Sequence, residues 1–203
     1  MSSRQATMPL LRLENVSVIR GNRIVLNGIS LDAGPGDIIW IRGANGCGKS
    51  TLLRLIAGLL SKASGSMLVE GRLALADENL ALDTNLSVES ALRFWADIDD
   101  ATPAARAYAL HAVDLAPLAD VPIRLLSTGQ RKRASLARLL TSNAQIWLLD
   151  EPYNGLDSAS TERLDQALLA HISAGGMALV AAHQSPSIVV AQSLRLDERV
   201  TAL

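Results

Sequence analysis

In the stretch GANGCGKSTLLRL, Gly43 to Leu55, three glycines fall within six residues. A lysine, two hydroxyl side chains and an apolar run follow at once. Glycine loses more backbone freedom on folding than any other residue, so a cluster of it ahead of a helical pattern needs a reason. The segment before it, Ile38 to Arg42 (IIWIR), reads as a short buried strand, and Lys49 to about Leu60 reads as a helix. A strand, a glycine turn and a helix in direct succession point to a backbone that wraps a small anion. The N–H groups of such a turn and the helix dipole both favour negative charge.

The spacing sharpens this. Gly43, Ala44, Asn45, Gly46, Cys47, Gly48, Lys49 and Ser50 satisfy G-x-x-x-x-G-K-[ST], the pattern of a triphosphate-cradling loop, with Thr51 next in the helix. Lys49 is expected to reach the β- and γ-phosphates and Ser50 to ligate Mg²⁺. Cys47 reads as a small residue that fits the turn. Further on, IWLLDEP puts Asp150 at the end of an apolar strand, where a carboxylate meets the Mg²⁺ of a loop-bound nucleotide. Glu151 follows directly and would polarise an attacking water as general base.

Around these motifs the pattern alternates between strand and helix. LLRLENVSVIRG and NRIVLNGISLDAGPGD read as strands, the second ending in a Gly-Pro-Gly turn, and SGSMLVEGRLALA as two shorter ones. After Asn85 the spacing becomes helical, with Ser87 and Thr102 as N-caps and Pro103 at a first helical position. Helices are expected from about Thr128 to Ser142 and over ASTERLDQALLAHIS, and a strand over MALVAAH after the Gly175-Gly176 break. The order predicts one domain over 1–203. It has an α/β core with a parallel sheet, about 1–83 and 126–203, and a helical subdomain inserted at about 84–125.

Composition narrows the function. With 19 basic and 20 acidic residues the net charge is -1, which argues against a nucleic-acid partner. A single cysteine excludes an internal disulfide and fits a reducing compartment. The start shows no long apolar run, so no secretion signal is expected. Gln166 to Leu194 lacks Asp, Glu, Lys and Arg, yet His171, Gly175, Gly176, His183, Gln184 and Pro186 interrupt it, so it does not read as a membrane span.

The remaining motif is LLSTGQRKRASLARLL. Ser127, Thr128 and Gly129 stand at a helix start, where free N–H groups favour an anion. Arg131, Lys132 and Arg133 are ill placed there unless an anion neutralises them; the plainer reading is a capped helix with a solvated basic face.

Leu126-Ser127-Thr128-Gly129-Gln130 resembles the signature of ABC-transporter ATPases, and the glycine loop, signature and LLDEP occur in that family's order. Asn154-Gly155-Leu156-Asp157 resembles its D-loop, and His183 its switch histidine. The resemblance implies a P-loop NTPase fold: a RecA-like parallel-sheet core with an antiparallel β subdomain and a small inserted α-helical subdomain. It also implies that two copies bind head to tail. Each ATP would lie between the glycine loop of one copy and Ser127, Thr128, Gly129 and Gln130 of the other. Asp157 would communicate across that interface and His183 would contact the γ-phosphate. His111 and His171, on helices, read as surface or core residues.

DVPIRLLSTGQRKRASLARLL, IWLLDEP and GGMALVAAHQ, in so short a chain, are similar to the ATPase subunits of haem exporters used in cytochrome c maturation. That implies a peripheral subunit on the cytoplasmic face of the bacterial inner membrane, working with an integral membrane transporter subunit. Haem-handling assembly proteins would be indirect partners, because hydrolysis in that family releases a haem-loaded periplasmic chaperone. The alternatives are an ATPase of an unrelated export system and a soluble ABC ATPase acting on DNA or ribosomes; the latter usually carries two fused cassettes or coiled-coil arms. Two positions depart from the family. Val18, Ile19 and Arg20 stand where many members carry an adenine-stacking aromatic, leaving Arg20 as the planar candidate. Asp77, Glu78, Asn79 and Leu80 stand where the Q-loop glutamine is expected, leaving Asn79 or Glu78 as substitutes.

Overall fold

The fold is seen in a computed structural model that describes residues 8–77, 79, 81–183, 188–196 and 201–202. Glu78, Leu80, Gln184 and Pro186 lie outside the described residues. The chain runs β1 (Leu10–Arg20), β2 (Arg23–Ala33), β3 (Ile38–Arg42), α1 (Lys49–Ile56), β4 (Ser64–Glu70), β5 (Leu73–Ala76), α2 (Val88–Ile98) and α3 (Pro103–Ala112). It continues through two short 3₁₀ turns, Ala116–Leu118 and Ile123–Leu125, to α4 (Thr128–Thr141), β6 (Ile146–Asp150), α5 (Ser158–Ser173), β7 (Met177–Ala181), β8 (Gln192–Arg195) and β9 (Thr201–Ala202).

The strands form two sheets. One is antiparallel in the order β4-β1-β2-β9, and the other is parallel in the order β5-β6-β7-β3-β8. The inner parallel strands β3, β6 and β7 are short and apolar because both their faces are covered. Their alternate residues feed two cores. Ile39, Ile41, Ile146, Leu148 and Leu179 pack with α1 and the antiparallel sheet. Ile38, Trp147, Leu149, Ala178 and Val180 pack with α2 to α5. Each fully buried Leu or Ile contributes about 1.5–3 kcal/mol. A register slip of one residue would exchange the two faces, so the alternation fixes where each strand ends. The carboxyl ends of β3, β6 and β7 therefore emerge side by side, on the edge where open α/β sheets bind ligands.

The local signals explain most boundaries. Ser87 accepts from Ser90 N at the start of α2, and Thr102 accepts from Ala105 N at the start of α3 with Pro103 at its first position. α1 stops at Ile56, four residues short of the expected Leu60. Gly58 there turns left-handed (φ 75°), and Leu59 N–H closes on Arg54 O at 2.9 Å, a Schellman-type stop. The segment SGSMLVEGRLALA yields two strands as expected, but they join different sheets. β8 and β9 were not expected; both are edge strands, and β8 takes its place from pairing with β3 rather than from an apolar run of its own. Among the described residues no helix is long and apolar enough to cross a membrane.

Candidate functional site

The glycine loop joins β3 to α1. Gly48 sits at φ 106°, and a Cβ there would come within 2.8 Å of Leu26 Cδ2 and 3.1 Å of Val25 O, so only glycine lets the loop lie this close to β2. At Gly43 a Cβ would meet Cys47 Sγ and Leu196 O, each at 2.5 Å. No side chain caps α1, whose N-cap is Gly48 itself. Its first-turn N–H groups thus have neither an intrahelical nor a side-chain partner, and they face the cleft lined by Asn45, Gly46, Lys49, Ser50, Thr51 and Glu151. Ala44 lends its carbonyl to the turn, accepting from Cys47 N at 3.3 Å. The Cys47 thiol is buried at 2% exposure, packed into the core rather than turned to the cleft.

Lys49 is buried, and its Nζ is held by Gly43 O at 2.9 Å and Ala44 O at 3.3 Å. Glu151 Oε1 lies 3.5 Å from the same ammonium. β6 delivers Asp150 and Glu151 to this point. Asp150 is buried, and burial pushes its carboxyl pKa up, opposed by a hydrogen bond from the Ser50 hydroxyl. Its Oδ1 is buried without a hydrogen-bond partner. An unmatched carboxylate oxygen beside a hydroxyl and an uncapped helix start is a fitting donor set for Mg²⁺, which takes one or two protein oxygens and leaves its other positions to phosphate and water.

His183, two residues past the end of β7, brings Nε2 within 2.5 Å of Asn45 Oδ1, 3.5 Å of Lys49 Nζ and 3.5 Å of Glu151 Oε1. The strand end is braced by Trp40 Nε1, which donates to Ala182 O at 3.0 Å. Lys49, Asp150, Glu151 and His183 thus converge from three neighbouring strands, and Asn45 joins them from the loop.

Ser127, Thr128, Gly129 and Gln130 stand apart, at the start of α4. A capping box closes this helix: Gln130 N–H donates to Ser127 Oγ at 3.2 Å, and Ser127 N–H donates to Gln130 Oε1 at 2.8 Å. The basic residues behind it are engaged within the chain, although Arg131 stays exposed. Arg131 donates to Leu126 O and Arg124 O, Lys132 to Glu151 O, and Arg133 to Val113 O and Asp114. They clamp carbonyls of the same chain, a use that the spacing alone does not reveal. Asp157 is the N-cap of α5, accepting from Ser160 N at 2.7 Å, and that bond holds its carboxyl below the usual range.

The two departures look different in the structure. Val18 is in the core, which leaves Ile19 and Arg20 exposed at the end of β1. Asp77, one residue past β5, pairs with Arg54 at 3.0 Å and accepts from both the backbone and the side-chain nitrogen of Asn79. His111 is exposed, and His171 stacks on Trp147 at 3.9 Å with its pKa lowered by burial. Neither reaches the site. Sequence reasoning passed over Trp40, saw Asp77 only as part of the stretch at the Q-loop position, and saw Lys132 only as one member of a charge run. An indole beside a motif strand and a lysine next to the signature were the available signals.

The model of the ABC transporter family matches residues 26–154. The chain is 49% identical over 86% of its length to the cytochrome c biogenesis ATP-binding export protein CcmA of Sphingopyxis alaskensis, covering 90% of that protein. It is 48% identical over 94% of its length to the protein of the same name from Zymomonas mobilis, covering 86% of it. A bacterial Atm1-family ABC exporter with ATP bound superposes with a TM-score of 0.83 over 96% of this chain and 38% of that one. At 23% identity this last likeness shows the fold alone.

Proposed function

Because this chain belongs to the ABC transporter ATPase family, we propose that it is the ATP-hydrolysing subunit of a haem exporter acting in c-type cytochrome biogenesis. The observation that carries the ATPase reading is the meeting of Lys49, Glu151 and His183 within 3.5 Å contacts above an uncapped helix start. The names of the relatives carry the biogenesis reading.

ATP enters with its phosphates on the glycine loop, Gly43 to Thr51. Lys49 exchanges the carbonyls of Gly43 and Ala44 for β- and γ-phosphate oxygens. This frees Glu151 from the ammonium 3.5 Å away. The Glu151 carboxylate then takes a proton from a water aimed at the γ-phosphorus. The water oxygen bonds to phosphorus as the bond to the bridging oxygen breaks, giving ADP and phosphate. His183, released from Asn45, donates to a γ-phosphate oxygen. Ser50 and Asp150 would hold Mg²⁺, which when bound neutralises charge on the β- and γ-phosphates.

In this reading a second copy supplies Ser127 to Gln130 and Asp157 over the first copy's ATP. Residues 84–125 are the helical subdomain. The complex sits on the cytoplasmic face of the bacterial inner membrane through an integral membrane partner. Haem-handling assembly proteins are reached only through that partner.

The test is a covalent-haem stain of membrane proteins from a strain lacking this gene, complemented with wild type or Glu151→Gln. Loss of the c-type haem bands, restored by wild type alone, is expected. Bands that persist in the deletion strain would leave the ATPase reading in place and remove the haem assignment.

A further inference from the structure

Glu151 has an unusual backbone. Its φ is 47°, in the left-handed region that residues other than glycine rarely occupy, and it precedes Pro152, which further restricts it. A residue stays in such a conformation only when its surroundings fix it. Here both peptide planes flanking its Cα are fixed. Its N–H donates to Ala181 O on β7 at 2.8 Å. Its carbonyl accepts from Lys132 Nζ on α4 at 2.8 Å, a charge-assisted bond. With both planes held, φ and ψ are set, and so is the direction in which the side chain leaves the backbone.

We propose that Lys132 is a positioning residue for Glu151, tying the carboxylate's aim to the first turns of the signature helix. The inference rests on the reading of Glu151 as the general base. A second contact supports the link: Gly129, three residues ahead of Lys132, lies so close to the loop after Glu151 that a Cβ on it would come within 3.3 Å of Gly155 O. The loop from Glu151 to Gly155 thus leans on α4 at both ends. The consequence reaches across the dimer. Ser127 to Gly129 of one copy face the ATP of the other, and Lys132, on the same helix, grips the base of its own copy. A shift of α4 on meeting the second ATP therefore reaches Glu151 through one side chain. The two hydrolytic sites are coupled through the backbone of their bases, with no need for the carboxylates themselves to sense the interface.

The experiment compares Lys132→Met, Lys132→Arg and Glu151→Gln in the full chain. It measures steady-state ATP hydrolysis, affinity for a ribose-labelled fluorescent ATP, and melting temperature. Misplacing a reacting group by about an ångström lowers the rate by about 10–100-fold, so Lys132→Met should lose that much in kcat. Its ATP affinity and melting temperature should stay at wild-type values, and Lys132→Arg, which keeps a cationic donor, should recover most of the rate. Full activity in Lys132→Met overturns the proposal. So does a Lys132→Arg variant as slow as Lys132→Met, or a loss that appears in affinity or melting temperature instead of kcat. Glu151→Gln separates the two layers. If it hydrolyses ATP like wild type, the reading of Glu151 as the base fails. If it is inactive while Lys132→Met is unimpaired, only the role of Lys132 fails.

Discussion

α1 starts on Gly48, left-handed and with no side chain over its first N–H groups, whereas α4 starts on Ser127 with a complete capping box. Both starts stand at motifs that sequence reasoning assigns to the same ligand. The difference is one of division of labour. An uncapped first turn leaves donors without partners until an anion arrives, so in the proposed function α1 is the half that receives phosphate. A capped first turn is complete on its own, so α4 needs no ligand to hold its shape. Its Ser127 oxygen is occupied as an acceptor, but the hydroxyl hydrogen remains to be donated outward. The unmatched buried oxygen, Asp150 Oδ1, also lies on the α1 side of the site.

The largest expected effect breaks the α1 half. Lys49→Ala removes the cation that bridges Gly43 O, Ala44 O and Glu151. Losing a preorganised donor to transition-state charge costs about 10²–10³ in kcat, and ATP binding should be lost with it. Fluorescence titration with labelled ATP checks this; wild-type affinity in the variant would mean that the open helix start is not the phosphate seat.

A smaller effect sharpens the contrast. Burial disfavours the charged form of Asp150 and its Oδ1 has no hydrogen-bond partner, so Asp150→Asn should raise the melting temperature of the nucleotide-free protein while abolishing Mg²⁺-dependent hydrolysis. Stabilising substitutions of this kind contribute about 0.5–2 kcal/mol. The sign with pH follows from the raised carboxyl pKa. The native state holds this proton more tightly than the unfolded chain, so stability from this group falls as pH rises from the ordinary carboxylate range through the raised value. The gap between variant and wild type should therefore widen as pH rises and shrink on acidification. A variant less stable than wild type at neutral pH would show that Asp150 is already satisfied without ligand.

Much of this was legible in the sequence, for identifiable reasons. The glycines and the apolar run after them define a strand-loop-helix unit because their signals are local. Ser87, Thr102 with Pro103, and Ser127 with Gln130 announce helix starts for the same reason. What stayed hidden was long-range. β8 exists because β3 offers an open edge, so no periodicity in Gln192–Arg195 could announce it. The separation of β4 and β5 into different sheets depends on partners far along the chain. In the site, nothing in RKR tells that three cations will clamp carbonyls, because the acceptors at Val113, Leu126 and Glu151 are brought to them by tertiary packing. The same holds for Glu151, whose positive φ is imposed by β7 and α4 rather than by its own side chain.

The two halves belong to one site only if two copies close around ATP, and the most direct test is to watch them do so. Sedimentation of the Glu151→Gln chain should show a monomer without nucleotide and a dimer with ATP and Mg²⁺. Chelating the metal should return it to monomer. Adding Ser127→Ala should prevent the dimer. A Glu151→Gln chain that binds ATP and stays monomeric with Mg²⁺ present would contradict the account.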